Sequence, residues 1–301
     1  VKKGETMKIL VTGSAGLIGQ ALVALLRQEG YEVRTLDRYA QKQEAAGEHV
    51  PGDLRDIHLV RRAVQGMDAV AHLGAIPSDS HGREDEVLSV NVQGTWNVLL
   101  ACVEAGVSRA VCYSSVNALG CFGGHRPAVY LPIDDSYPRH PITVYQLSKH
   151  LVEETCQAFT ARYGLQTICL RPVGVWNKHA LEKFRREEFG QQVEWGKEQY
   201  WSYVALQDVC DATLRALTVE NVTYDAFLLS ASDTFIPIPT AELVEKFYPN
   251  TPWLKQDREA YLATNPYRSL IDCSHAREVL GWEPKHSWRN ADGDGGKWPV
   301  S

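Results

Sequence analysis

The chain lacks any apolar run approaching the roughly 20 residues a membrane-spanning helix needs. Its opening stretch, Val1 to Thr6, is polar and has no apolar signal segment, and Met7 reads as the natural start after a short extension. Seven cysteines are scattered with no Cys-x-x-Cys pair, and four of them sit in apolar runs, so reduced, buried thiols and a cytoplasmic location are expected. The ten histidines include no His-Glu-x-x-His spacing, and no metal site is expected. Basic excess is also missing: the net charge is -6, which argues against nucleic acid as the main partner. No internal repeat is present, and Asn221-Val222-Thr223 reads as a chance sequon.

What remains is an ordinary globular composition, 44% hydrophobic and 23% charged over 301 residues, enough for a large core. Apolar runs at Lys8 to Val11, Glu32 to Leu36, Ala69 to Leu73, Ala110 to Tyr113 and Thr167 to Leu170 alternate with helical patterns. The helices are expected at Leu17 to Glu29, Leu54 to Gln65, Glu84 to Ala105 and Thr143 to Tyr163. This alternation predicts an α/β fold, a Rossmann-type doubly wound parallel sheet covered on both faces. A helix at Leu206 to Leu217 and a run at Ala226 to Leu229 read as a return to that sheet. The expected domains are therefore 7–175 with 203–230 for the sheet, and 176–202 with 231–289 for a smaller C-terminal substrate lobe. Residues 290–301 read as a mobile tail.

Gly13, Gly16 and Gly19 follow the first strand and open the first helix, the context of a dinucleotide-binding turn. Glycines there let the backbone approach a pyrophosphate, and the helix N-terminus meets its charge. The spacing is Gly-x-x-Gly-x-x-Gly, with Leu17 and Ile18 inside it; a bare strand-to-helix turn is the plainer alternative. Asp37 closes the second strand, where a carboxylate would bond the adenosine ribose and repel a 2′-phosphate, favouring NAD over NADP. Arg38 beside it pulls the other way, because an Arg can pair with that phosphate. Asp53 and Leu54 follow a short possible strand and could meet adenine, although an isolated Gly-Asp is more often a turn.

Tyr145 and Lys149 lie four residues apart, on one face of a helix, downstream of Ser114-Ser115. A phenol with a reference pKa of about 10 becomes a base near neutral pH only if a cation stabilises the phenolate, and a Lys one turn away could supply it. The order of these motifs suggests redox chemistry on a carbinol.

Together the pieces resemble the extended short-chain dehydrogenase/reductase family of sugar epimerases, dehydratases and dehydrogenases. The resemblance runs through Thr12 to Gly19, Asp53-Leu54, His72-Leu73-Gly74-Ala75, Asn91, Ser114-Ser115, Tyr145 to Lys149, Arg171-Pro172 and Leu280-Gly281-Trp282-Glu283-Pro284. It implies that Ser115 anchors the reacting oxygen, Tyr145 exchanges its proton, and Lys149 holds the nicotinamide ribose and lowers the Tyr145 pKa. Ser115 is preferred to Ser114 because it precedes Gly120 at the family's spacing. It further implies a cofactor site that takes in Leu73, Gly74, Ala75, Asn91 and Pro172 as well as the glycine turn. A homodimer through the helices at Glu84 to Ala105 and Thr143 to Tyr163 is implied too.

The departures narrow the substrate. Val116 and Asn117 stand where the family's dehydratases carry Asp-Glu, and Gly174 and Trp201 stand where nucleotide-sugar 4-epimerases carry an Asn and an Arg. Losing an amide and a guanidinium removes contacts suited to a diphosphate. The pattern looks closer to uronate-dehydrogenase-type members, although Val116-Asn117 and Gly174 differ there too. A sugar acid would need a cation, and Lys183, Arg185 and Arg186 are candidates, as is the plainer reading of a salt-bridged helix. Ser78 and Asn117 could bind sugar hydroxyls or merely cap turns. Trp176, Trp195 or Trp201 could stack on a sugar or simply pack. The expected function is an NAD-dependent oxidoreductase acting on a free sugar or sugar acid. Its alternatives are a nucleotide-sugar 4-epimerase with retained NAD and a non-catalytic NAD-binding sensor.

Overall fold

Ile9 and Val11 face one hydrophobic cluster and Leu10 faces another, the signature of a strand buried on both sides. The computed structural model describes residues 6–39, 48–180, 189–254 and 257–290. Strands β1 (Lys8–Thr12), β2 (Glu32–Asp37), β3 (His49–Pro51), β4 (Ala69–His72), β5 (Arg109–Tyr113) and β6 (Gln166–Pro172) form one sheet. A short parallel pair, β7 (Val175–Trp176) and β8 (Val204–Ala205), lies outside it, and β9 (Tyr224–Leu229) completes it. The order β3-β2-β1-β4-β5-β6-β9 is parallel throughout, a Rossmann-like doubly wound sheet. Chain direction across the sheet reverses between β1 and β4, the place where such sheets open a crevice at their carboxyl ends.

Helices α1 (Leu17–Gln28), α2 (Ile57–Val64), α3 (Glu84–Leu88), α4 (Gly94–Ala105) and α5 (Val144–Tyr163) follow the strands. The helix expected over Glu84 to Ala105 is interrupted by a π turn at Ser89–Gln93, which turns Asn91 inward. The second helix starts at Ile57 rather than Leu54 because Asp56 caps the backbone N–H groups of His58 and Leu59. At α5 the capping box of Thr143 and Gln146 fixes the first turn, and Gly164 in the left-handed region ends the last. Helices α6 (Phe189–Gly196) and α7 (Leu206–Thr218) come next, α7 leading into β9, which pairs with β6 in the sheet. Later, Trp282 is fully buried with its indole N–H on the Asp208 carbonyl, and Arg215 donates to the Gly281 carbonyl, so this segment lies on α7.

Every cysteine is free, and all but Cys273 are buried. The tail 291–301 and the candidate cations Lys183, Arg185 and Arg186 lie outside the described residues.

Candidate functional site

Gly13 takes a φ of +69°, and a Cβ there would stand 2.6 Å from the Gly74 nitrogen. The turn is thus pressed against the segment leaving β4, which only glycine permits. At Gly19 a Cβ would come within 2.2 Å of the Gly13 carbonyl oxygen, so this glycine lets α1 close onto the turn. Gly16 differs: a Cβ there would meet only the Gly13 oxygen, at 3.3 Å. Gly16 is also the cap of α1 and offers no side-chain acceptor, and no acidic residue occupies the first turn. The first N–H groups of α1 therefore have no intrahelical acceptor and carry the positive end of the helix dipole.

This turn lines a cavity of about 490 Å³. Asp37 and Arg38 border it at the end of β2, Asp53 and Leu54 after β3, and Leu73, Gly74 and Ala75 after β4. The Asp37 carboxylate accepts from the Ala15 and Tyr39 backbone N–H groups, each at 3.0 Å, which sets it at the rim with lone pairs to spare. Asp53 is held below the usual carboxylate range mainly by its hydrogen bond from Arg55, at 2.7 Å. Ile76, Pro77, Tyr113 and Val175 also border the cavity, and the sequence reasoning missed them. None of them carries a charge or a cofactor-binding motif, so only their position at or beyond the carboxyl ends of β4, β5 and β6 could have flagged them. A glycine-lined, mostly apolar cleft with an uncapped helix N-terminus and a carboxylate at its rim fits a dinucleotide.

Asn91, Pro172, Tyr145 and Lys149, also expected at the cofactor, do not line this cavity. Pro172 is buried at the end of β6. The Asn91 amide is spent on the backbone N–H of Ile76 (2.7 Å), the Ile76 carbonyl (3.1 Å) and the Ser148 hydroxyl (2.9 Å).

At the end of β5 the candidate reacting groups meet. Ser115 Oγ accepts from the backbone and side-chain nitrogens of Asn117, both at 3.2 Å, and the Ser115 hydroxyl is near enough to the Tyr145 phenol to favour its charged form. The Tyr145 backbone N–H is capped by Asp79, at 2.8 Å. Lys149 is buried and donates to the Tyr113 carbonyl at 2.8 Å. Tyr113 also borders the cavity, so one residue joins the cleft to the reacting corner. Burial pulls the Lys149 pKa down to about 8. The expectation that Lys149 lowers the Tyr145 pKa is corrected here. Burial pushes the phenol up to about 12, the Ser115 hydroxyl opposes this, and Asp79 adds to it. Desolvation wins because the ammonium is turned to the Tyr113 carbonyl and lies 5.8 Å from the Tyr145 ring centroid.

The candidate substrate residues fare unequally. Asn117 sits beside Ser115 as described. The Ser78 hydroxyl caps the turn at Asp79–His81 and pairs with His81 Nδ1 at 2.5 Å. Gly174 is exposed, and its carbonyl accepts from the Val204 N–H. Trp201 is fully buried with its indole on the Val193 carbonyl, so it packs the core and does not stack on a ligand. Trp176 packs on Tyr203 at 4.9 Å, and Trp195 is 54% exposed beside Phe235. Among the described residues no helix is long and apolar enough to cross a membrane, and no cluster of side chains could hold a metal ion.

Sheet, glycine turn and Ser-Tyr-Lys corner define a Rossmann-type protein of the short-chain dehydrogenase/reductase class. More closely, residues 9–229 match the NAD dependent epimerase/dehydratase family, and the chain belongs to it. A uronate dehydrogenase of Pseudomonas syringae pv. tomato is 31% identical over 167 residues, 54% of this chain and 58% of that protein. A 2-alkyl-3-oxoalkanoate reductase of Stenotrophomonas maltophilia is 36% identical over 173 residues, 56% of this chain and 51% of that protein. The match thus spans little more than half the length of these curated relatives. Among solved structures, a short-chain dehydrogenase/reductase superfamily protein from Agrobacterium tumefaciens with bound NAD superposes with a TM-score of 0.70. It is 26% identical and covers 94% of each chain.

Proposed function

We propose that this chain is an NAD-dependent dehydrogenase that oxidises a carbinol of a free sugar or sugar acid, as a uronate dehydrogenase does. The observation that carries this is the meeting of Ser115, Tyr145 and buried Lys149 at the cavity's Tyr113 end. Similarity to the Pseudomonas uronate dehydrogenase supports the substrate class, and Val116-Asn117 and Gly174 fit neither dehydration nor a nucleotide-linked sugar.

The glycine turn and the α1 N-terminus would hold the pyrophosphate, and Asp37 would bond the adenosine ribose, which favours NAD over NADP despite exposed Arg38. NAD, when bound, supplies a two-electron acceptor at its nicotinamide. The chain's own groups do the rest. Ser115 Oγ holds the substrate oxygen with Asn117 fixing its lone pairs, and Tyr145 takes the hydroxyl proton. Lys149, held at the Tyr113 carbonyl, would hold the nicotinamide ribose.

The assembly we propose is a homodimer through α4 and α5, which leave Trp96 50% and Leu147 40% exposed. Free thiols fit a cytoplasmic location. Segments 176–202 and 231–289 would form the substrate lobe over the sheet domain of 7–175 and 203–230.

A cofactor-reduction screen with NAD and NADP against free aldoses, uronates and nucleotide sugars tests the reading. NADH should form with a free sugar or uronate. Configuration change of a UDP-sugar with no free NADH would make the protein an epimerase instead. Unchanged biological activity in Tyr145→Phe would make it a sensor.

A further inference from the structure

His72 is buried where β4 ends and is bonded through both ring nitrogens. The Thr95 end of its hydrogen-bond chain sets the tautomer of the ring. At one end the Gly74 backbone N–H can only donate, and it does so to Thr12 Oγ1 at 3.2 Å. The single Thr12 hydroxyl hydrogen is then free for His72 Nδ1, at 2.7 Å. At the other end the Asn91 carbonyl can only accept, and it takes the Thr95 hydroxyl hydrogen at 2.6 Å. Thr95 Oγ1 must therefore accept from His72 Nε2, at 3.0 Å. The Thr95 end requires the ring proton on Nε2, and the Thr12 end, with its hydroxyl hydrogen free, fits an unprotonated Nδ1. Burial agrees, since it drives the His72 pKa down to about 3.

Beyond Asn91 the path continues. The Asn91 side chain holds both backbone groups of Ile76 and donates to Ser148 Oγ, and Ser148 donates to the Tyr145 carbonyl at 2.8 Å. The π turn at Ser89–Gln93 is what brings Asn91 into the core to make these bonds. Gly74 borders the cavity and faces Gly13, while Tyr145 sits in the reacting corner. Two hydrogen-bonded runs of one direction, joined through the covalent frame of Asn91, thus link the glycine turn to the first turn of α5.

We infer that His72 is a positioning residue that couples the phosphate-binding turn to the placement of Tyr145, by holding Thr12 and Thr95 in one hydrogen-bonded chain. The functional meaning rests on the dehydrogenase reading above. The coupling itself belongs to the protein without ligand and is tested there.

Thr12 and Thr95 do not bond each other and both bond His72, so removing either hydroxyl should perturb the far end through His72. Hydrogen exchange of the NAD-free protein reads this directly. Thr95→Val should speed exchange of the Gly74 amide, and Thr12→Val that of the Ile76 amide, each by about tenfold. Thr95→Ser and Thr12→Ser, which keep the hydroxyl, should restore protection. The wild-type His72 ring should show the nitrogen shifts of a neutral Nε2–H imidazole. If each Val variant loosens only its own end, or the ring carries its proton on Nδ1, the inference is overturned. NAD affinity of the wild type is measured separately: its absence would sink the dehydrogenase reading and leave the exchange result to decide this one.

Discussion

Lys149 holds its ammonium against the Tyr113 carbonyl, 5.8 Å from the ring centroid of Tyr145. Burial puts Lys149 at about 8 and Tyr145 at about 12, so the first proton to leave the pair leaves near 8. Once it has left, the state with charged Lys149 and Tyr145 phenolate is a fixed fraction of the pair. The rate of carbinol oxidation should therefore rise about tenfold per pH unit up to pH about 8 and then level off. In Lys149→Met the rising limb belongs to Tyr145 alone and should move toward 12. A pH profile of kcat/KM checks this, and an unmoved limb in the variant would refute it.

Tyr145→Phe should lower kcat by about 10²- to 10⁴-fold, the usual worth of a positioned base. NAD binding should be nearly unchanged, because the phenol lies outside the residues bordering the cavity. Single-turnover kinetics alongside NAD titration separate the two. A variant that loses NAD binding in step with its rate would mean that the phenol serves binding.

The sheet was legible because strands buried on both faces must be continuous apolar runs, as at Ile9 to Val11, and glycines must stand where Gly13 meets Gly74. The π turn was not, since Asn91 is one polar residue in a long helical pattern and its partners, Ile76 and Ser148, are far away in sequence. Trp201 misled for the same reason. An aromatic near a presumed pocket reads the same whether its indole faces a ligand or, as here, the Val193 carbonyl. The phenol's environment was equally hidden: spacing places a cation one turn away, but only coordinates show that it faces Tyr113.

The glycines of the turn should separate by role. Gly13→Ala forces a non-glycine residue into a left-handed conformation, at about 1–2 kcal/mol, and drives a methyl into the backbone of Gly74, so it should destabilise the fold. Gly16→Ala meets only one carbonyl at 3.3 Å and should fold normally, while weakening NAD binding by about tenfold, or 1.4 kcal/mol. Denaturation curves and NAD titration of both variants test this. Normal NAD affinity in Gly16→Ala would remove the turn from the pyrophosphate site.

His72 makes a prediction about acid stability. Its folded pKa, about 3, lies below the ordinary 6.5, so as pH falls the unfolded chain takes up the proton first. Its contribution is complete above 6.5 and is lost as pH drops toward 3. Between pH about 7.5 and about 5 the loss should be about 2 kcal/mol. Urea midpoints of wild type and His72→Gln at both pH values isolate it, because the variant lacks this titration. A wild-type-minus-variant difference that stays constant with pH would contradict a neutral buried imidazole.

Behind Ser115 lies a buried ion pair. Arg171 makes two hydrogen bonds to Glu153, at 2.7 and 2.8 Å, and neither side chain is more than 1% exposed. Ser114 donates to the same carboxylate at 2.6 Å, so the pair also fixes the backbone beside Ser115. Glu153→Ala would leave the buried guanidinium with Asp135, at 3.2 Å, as its remaining carboxylate partner and should cost about 3–5 kcal/mol. Removing both charges with Glu153→Met and Arg171→Met should recover part of that loss, because desolvation of the pair offsets much of its attraction. Chemical denaturation of the single and double variants measures the difference. If the double variant is no more stable than Glu153→Ala, the pair is worth more than its desolvation cost, and the low-dielectric attraction between Glu153 and Arg171 dominates this corner of the fold.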